Sequence, residues 1–279
     1  MMRFPSVKTR FFAAASYGRT RGPTRKKRCQ PPNLGNLTTL LPACIHAFMP
    51  RPNRNAPGGL PFHVLNRAVG RRKVFESPAD YMAFGDAVSE ALRTRPMRLC
   101  SYCVMPNHWH MVLWPKRDGE LSAFVQHLTN LHVKRWKSAH GEVGYGHLYQ
   151  GRFKSFPIQT DHYFLTVVRY VERNALRANL VTRAEDWPWS SLGQRSSTDP
   201  VPLSTWPVPF SADRHGDAWV DWVNRPQTEG ELASVRLCSN RGRPFGDDEW
   251  VRQVAGRLDL AATLKPRGRP RRIEANSPA

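Results

Sequence analysis

The chain has 279 residues, of which 40% are apolar and 10% aromatic, so it is long enough for one well-packed domain with tails or for two small domains. Its 42 lysines and arginines against 22 acidic residues give a net charge of +20, and the commonest partner of so basic a chain is nucleic acid, with anionic membrane surfaces second. This composition argues against wholesale disorder, and the absence of a long apolar run argues against a membrane span. The five scattered cysteines are typical of a reducing cytoplasm rather than of a disulfide scaffold.

The N-terminal stretch is basic throughout, because the first acidic residue is Glu76. Residues 1–48 are punctuated by proline and glycine and carry little apolar periodicity, which predicts a disordered basic extension. A transit peptide is the alternative. Met49 opens a stretch that resembles a natural beginning, so the sequence leaves open whether residues 1–48 are translated.

Strand-like and helical patterns alternate from about residue 60 to 192. The patterns predict a short strand at 62–66, a helix at 78–93, two strands at 98–105 and 108–114 joined by a turn, a helix at 120–139, a strand at 153–160 and a helix at 162–178. The two strands joined by a turn indicate an antiparallel hairpin. We therefore predict an α+β fold, a ferredoxin-like two-layer sandwich with helices on one face of an antiparallel sheet.

We predict three regions after the N-terminal extension. They are a catalytic core at 49–195, an irregular linker at 196–227 and a small helical, basic C-terminal region at 228–279. That region carries two Arg-Gly-Arg-Pro segments, with Arg241 and Arg243 in the first and Arg267 and Arg269 in the second. Such a segment suits the minor groove of DNA, because glycine allows close approach and the arginines enter the negative groove. A flexible basic tail that contacts phosphates without selectivity is an equally good interpretation.

His108-Trp109-His110 is the sharpest local signal for chemistry. In a strand, residues i and i+2 point to the same face, so the two imidazoles can converge on one metal ion. Taken alone, a pair of surface histidines is the better interpretation. Imidazole ligands by themselves would also suit Zn²⁺.

A second candidate group lies on the helix at 162–178. Tyr170 and Asn174 are four residues apart and share a face, which Arg177 extends by a further turn. They could supply a nucleophile, an amide ligand and a phosphate contact. On spacing alone, a buried tyrosine beside a solvated polar face is favoured.

Two shorter motifs each allow a non-functional interpretation. Arg152 and Lys154 flank an aromatic residue, and such a mixture suits single-stranded nucleic acid, because bases stack on rings and phosphates pair with cations. A solvated loop is the alternative. Cys100 and Cys103 have CxxC spacing but lie in an apolar strand without a second pair. We expect them to be buried free thiols rather than zinc ligands.

Together the motifs resemble the REP-associated tyrosine transposases, a branch of the single-tyrosine HUH transposases. The resemblance covers roughly residues 49–192 and rests on several blocks in the same order, at 57–59, 63–67, 102–110, 146–155, 169–178 and 187–191. One departure is Ala175, where the family usually has proline after the asparagine.

The resemblance implies a metal-dependent transposase or endonuclease that acts on single-stranded DNA with hairpin elements through a 5′-phosphotyrosine. It implies that Tyr170 is the nucleophile and that His108, His110 and Asn174 bind Mg²⁺ or Mn²⁺. We also predict that Arg67, Arg152, Lys154 and Arg177 contact the DNA. The resemblance also implies a bacterial, nucleoid-associated protein in the cytoplasm, as a monomer or a homodimer. If Tyr170 is not the nucleophile, Tyr163 is the next candidate.

Two other functions compete with this one. A DNA-binding regulator without cleavage activity would use the basic segments and leave the His, His, Asn and Tyr set idle. An RNA-binding ferredoxin-like module would need solvent-facing aromatic residues on adjacent strands, a role for which Tyr102 and Trp109 are the candidates.

Overall fold

The computed structural model describes residues 54–204, 206 and 216–266. The predicted N-terminal extension at 1–48 and the second Arg-Gly-Arg-Pro segment, with Arg267 and Arg269, lie outside the described residues. Within the described part of the chain, no helix is both long and apolar enough to cross a membrane.

A four-stranded antiparallel sheet with strand order β2-β3-β1-β4 forms the centre of the fold. Helix α1 connects the first two strands, a two-residue turn connects β2 to β3, and helix α2 connects β3 to β4, which is the ferredoxin-like order. The predicted α+β class and antiparallel sheet are confirmed. The bounds are β1 (Phe62–Arg67), α1 (Pro78–Thr94), β2 (Arg98–Met105), β3 (His108–Trp114), α2 (Glu120–Ala139) and β4 (Lys154–Pro157).

Local signals set these boundaries. Ser77 and Asp80 form a reciprocal capping box at the start of α1, with Pro78 in the first turn, where its missing N–H costs nothing. At the other end of the sheet, Pro106 and Asn107 turn the chain between two strands whose predicted limits are confirmed to the residue.

One face of the sheet packs against α1 and α2. Alternate residues of β3, such as Trp109 and Met111, point to this face and are completely buried, as is Phe84 of α1. Tyr102 is also buried there, with 6% of its surface exposed. Neither Tyr102 nor Trp109 is available to stack on a base, which removes the basis for the RNA-binding alternative.

The opposite face is covered as well, which the prediction of helices on one face did not include. Apolar residues of this face, including Cys103, Val112 and Phe156, are completely buried against the C-terminal half of the chain. In the described part of that half, the α-helices are α3 (His162–Glu172), α4 (Asn174–Arg177), α5 (Asp217–Asn224), α6 (Glu229–Arg241) and α7 (Asp248–Arg257). Helix α5 lies in the stretch predicted as a linker, and the proposed division at residues 195 and 228 stays a prediction.

Cys100 and Cys103 both belong to this second buried cluster and are free thiols, as expected. Burial raises the pKa of Cys103 to about 12. A thiol held in its neutral form is a poor nucleophile and a poor zinc ligand.

Gly58 allows the chain to pass close to the loop after β3. A Cβ atom at this position would lie 2.3 Å from the backbone oxygen of Lys116, and the Gly58 N–H donates to Asp118 at 2.8 Å. We expect Gly58→Ala to lower the free energy of unfolding by about 1–3 kcal/mol, because the backbone must shift to admit the methyl group. Urea unfolding would measure the change.

Gly256→Ala is the matched control, since a Cβ there meets nothing within 4 Å and the residue lies inside α7. Alanine should stabilise that helix by up to about 1 kcal/mol. Equal unfolding energies for the two variants would show that the close approach at Gly58 is unimportant.

Candidate active site at the paired histidines

His108 and His110 project from β3 toward the second face, where their ring centroids are 4.9 Å apart. Each ring uses its Nδ1 atom in a hydrogen bond, His108 with the Asn107 side chain at 2.6 Å and His110 with His63 Nε2 at 2.8 Å. The Nε2 atoms are therefore the ring nitrogens left for the cavity that both residues line. This is the arrangement that a two-histidine metal site requires.

His63 of β1 is a site residue that the sequence analysis missed. It is fully buried beside His110, with the two ring centroids 5.0 Å apart, and its Nε2 atom orients the His110 ring. The available signal was a polar residue inside an apolar strand at 62–66. Its partner could not be identified without the pairing of β1 with β3, which lie more than 40 residues apart in sequence.

Burial and neighbouring cations keep these imidazoles neutral. Burial is the largest cause and lowers the pKa of His63 and of His108 to about 3, with further contributions from Arg177 to both, from His108 to His63 and from Arg67 to His108. The pKa of His110 is lowered well below its ordinary value, first by burial and then by the other two histidines. Neutral imidazole is the form that binds metal ions.

The same burial predicts acid sensitivity of the fold. His132 of α2 also has its pKa lowered to about 3, mainly by burial. Between about pH 6.5 and pH 3, these histidines take up protons in the unfolded chain but not in the folded one, so stability is lost as the pH falls. Each contributes on the order of 1 kcal/mol per pH unit. Urea unfolding in EDTA at pH 7, 6, 5 and 4 tests this, and a constant unfolding energy over that range would contradict it.

Tyr170 lies on α3, which starts at an Asp161 side-chain cap that accepts a hydrogen bond from the Tyr163 N–H at 2.8 Å. The Tyr170 ring stands edge-on to His110 and His63, with centroid distances of 6.0 and 6.2 Å. Although only 7% of the residue is exposed, it lines the same cavity as His108 and His110. The Tyr170 phenol therefore lies close to the paired histidines, as predicted.

The predicted helix at 162–178 is broken into two. Helix α3 ends at Glu172 and α4 begins at Asn174, with Arg173 between them. The Arg173 guanidinium donates to the backbone oxygens of Val223 and Asn224, which ties the break to the end of α5. The apolar pattern of residues 162–178 is continuous and gives no sign of this break.

Arg177 holds Tyr170 and Asn174 together. Its guanidinium carbon lies 4.0 Å from the centre of the Tyr170 ring, and its Nη2 atom donates to Asn174 Oδ1 at 2.7 Å. Burial lowers the pKa of Arg177, and the Tyr170 side chain opposes that shift. Arg177 does not line the cavity, so the structure gives it a positioning contact, and the predicted phosphate contact stays a prediction.

The cavity beside the histidines and the tyrosine has a volume of about 780 Å³. Its lining contains five cationic side chains and, among the described residues, no aspartate or glutamate. The cations are Arg67, Arg71, Arg152, Lys154 and Arg236. Such a lining is suited to a ligand with several negative charges.

The predicted DNA-contacting residues are thus divided between two regions. Three of them, Arg67, Arg152 and Lys154, line the cavity. Arg241 and Arg243 do not, because the first Arg-Gly-Arg-Pro segment is folded: Arg241 ends α6 and Gly242 follows it in the left-handed region at φ 73°. Arg241 donates to the Ala262 backbone oxygen at 3.3 Å. An extended minor-groove segment would require this helix end to unfold.

Asn174 has the properties of a third ligand. Its Oδ1 atom accepts from Arg177 but retains a second lone pair, and its buried Nδ2 atom has no hydrogen-bond partner among the described residues. The described residues contain no cluster of three or more His, Cys, Asp or Glu side chains that could hold a metal ion. The candidate set of His108, His110 and Asn174 is not such a cluster, because it has two histidines and its third donor is an amide oxygen.

Tyr163, the second candidate nucleophile, is not part of the cavity lining. Its ring packs against Phe245 at 5.2 Å and His162 at 4.0 Å. Burial and nearby carboxylates raise its pKa. These contacts place it away from the paired histidines.

Comparisons with known proteins agree with the resemblance predicted from the motifs. Residues 58–174 match the family model described as "Transposase IS200 like". The REP-associated tyrosine transposase of Escherichia coli K12 is 23% identical over 141 residues, which are 48% of this chain and 77% of that protein.

Two solved structures are also similar in part. A REP-associated tyrosine transposase bound to a REP hairpin is 21% identical, with a TM-score of 0.44 over 58% of this chain and 94% of the other. A proposed transposase from Deinococcus radiodurans R1 is 19% identical, with a TM-score of 0.32 over 41% and 89% of the two chains.

Proposed function

We propose that this chain, whose residues 58–174 match the IS200-like transposase model, cuts and rejoins single-stranded DNA containing hairpins through a covalent bond to Tyr170. The observation that carries the proposal is the position of the Tyr170 ring, 6.0 Å from His110, in a cavity lined by cations. The hairpin substrate rests on the motif resemblance.

The chemistry assigned to Tyr170 is nucleophilic attack on the scissile phosphate. A bond forms between the phenolic oxygen and phosphorus, and the bond from phosphorus to the 3′ oxygen of the preceding nucleotide breaks. The phenol gives up its proton, and the departing oxygen gains one to become a free 3′-OH. Because a phenolate leaves far more readily than an alkoxide, a second 3′-OH can displace Tyr170 and restore a DNA strand without ATP.

The residues around Tyr170 hold it for this reaction. Arg177 packs against the ring and accounts for its orientation, while His63 orients His110. His108, His110 and Asn174 would hold Mg²⁺ or Mn²⁺. A divalent ion bound there supplies charge neutralisation at the scissile phosphate.

The cations of the cavity bind the DNA strand in this proposal. Arg67 has a buried Nε atom without a hydrogen-bond partner in the described part of the chain, and Arg152 and Lys154 are exposed at the cavity. They would pair with phosphates near the cleavage point. With one nucleophile per chain, the processing of two DNA ends favours a homodimer, and a cytoplasmic, nucleoid-associated protein remains the expectation.

The test is a denaturing gel with labelled single-stranded hairpin DNA. We expect a covalent protein–DNA adduct in Mg²⁺ or Mn²⁺. In EDTA the yield of adduct should be lower by a factor of about 100 or more. Readdition of excess Mn²⁺ should restore the adduct. If the protein binds the hairpin tightly but forms no adduct under any of these conditions, the non-catalytic regulator is the correct function instead.

A further inference from the structure

One side of the cavity is formed by α6, which lies outside residues 58–174. One side of this helix is apolar and buried in the second core, through Leu232, Val235 and Cys238. The cavity side carries three polar residues at i, i+3 and i+4 spacing, which brings them onto one face. These residues are Arg236, Ser239 and Asn240.

A local cap sets the start of α6, and the segment after its end is anchored to the sheet. Thr228 and Glu231 form a reciprocal capping box at its start. After its end, Phe245 returns to the sheet edge, where its N–H donates to the Pro157 oxygen at 2.9 Å and its oxygen accepts from the Gln159 N–H at 2.9 Å. Helix α6 is therefore held against β4 like a part of the scaffold rather than like a loose tail.

The polar face of α6 is free to bind a ligand. Arg236 is exposed and has no ion-pair partner among the described residues, and the Asn240 amide makes no hydrogen bond there. An unpaired guanidinium suits a phosphate, and an amide that both donates and accepts suits the edge of a nucleobase. The helix thus offers both types of contact at the same cavity as Tyr170.

We propose that α6 is a DNA-binding and specificity-determining element of this site, in which Arg236 pairs with a backbone phosphate next to the cleavage point and Asn240 hydrogen-bonds the edge of one unpaired base. The inference rests on the proposed function and deepens it. Arg236 contributes affinity for any sequence, whereas Asn240 contributes a preference at one nucleotide position.

The experiment measures binding alone, so that it does not depend on cleavage. Fluorescence anisotropy in EDTA would use Tyr170→Phe protein with a labelled hairpin carrying a single-stranded flank, and a set of hairpins with each flanking base changed in turn. Arg236→Ala should weaken binding about tenfold for every sequence and reduce the slope of log affinity against log salt by about 0.7. Asn240→Ala should remove a base preference of about tenfold at one position.

Arg252→Ala on α7 is the matched control, because Arg252 is an exposed arginine that does not line the cavity. Its affinity should stay within about twofold of the parent. The inference is overturned if Arg236→Ala behaves like this control, or if Asn240→Ala keeps every base preference of the parent. Adduct formation by the wild-type protein, measured separately, decides the proposed function independently of these results.

Discussion

Replacement of Tyr170 by phenylalanine should lower the yield of covalent adduct by a factor of about 10³ or more. The affinity for the hairpin should stay within about twofold of the wild-type value. Phenylalanine keeps the aromatic ring that packs against the Arg177 guanidinium at 4.0 Å and against His110. Only the attacking oxygen is lost. The denaturing gel measures the adduct, and anisotropy measures the affinity.

The matched control for this variant is Tyr163→Phe, on the same helix but outside the cavity. It should form the adduct at nearly the wild-type level. An adduct that persists in Tyr170→Phe and disappears in Tyr163→Phe would reverse the assignment of the nucleophile. Loss in both variants together with lowered thermal stability would point to packing of α3 rather than to chemistry.

Replacement of His110 by alanine should lower adduct formation by roughly 10²- to 10³-fold, because it removes a proposed ligand and the group that His63 orients. His63→Ala should cost less, roughly 10- to 100-fold, since it affects metal binding only through the orientation of the His110 ring. The two variants should also respond differently to metal. Raising Mn²⁺ should largely restore His63→Ala but not His110→Ala.

Adduct yield against Mn²⁺ concentration therefore separates a ligand from a positioning residue, and circular dichroism melting confirms that both variants fold. If His110→Ala retained full activity in limiting Mn²⁺, the metal assignment would be wrong. If His63→Ala were as inactive as His110→Ala at every Mn²⁺ concentration, the indirect role of His63 would be wrong.

Much of the fold could be predicted because its signals are local. The limits of β2, β3 and α2 agree with the predicted ranges, since apolar periodicity and turn residues lie within each segment. The break after Glu172 could not be predicted from the continuous apolar pattern of 162–178, and Arg173 at the break contacts residues 223–224, about 50 residues further along the chain. The packing of the C-terminal helices on the second face of the sheet also depends on contacts between residues that are distant in sequence.

The candidate site divides in the same way. His108 and His110 share a strand, and Tyr170 and Asn174 share a helical face, so spacing and the family resemblance identify both pairs. His63 contacts His110 only through the pairing of β1 with β3. Arg71 and the polar face of α6 come from other parts of the chain and line the cavity only through tertiary packing. Conversely, Arg241 has the expected charge, but its side chain donates to the Ala262 oxygen and does not line the cavity.

The most direct test of the central claim is mass spectrometric mapping of the adduct formed with a single-stranded hairpin in Mn²⁺, after nuclease and protease digestion. We predict that the nucleotide remnant is attached through a phosphodiester to the peptide containing Tyr170, at that residue. A remnant attached to Tyr163, to a serine or to any other side chain would contradict the account.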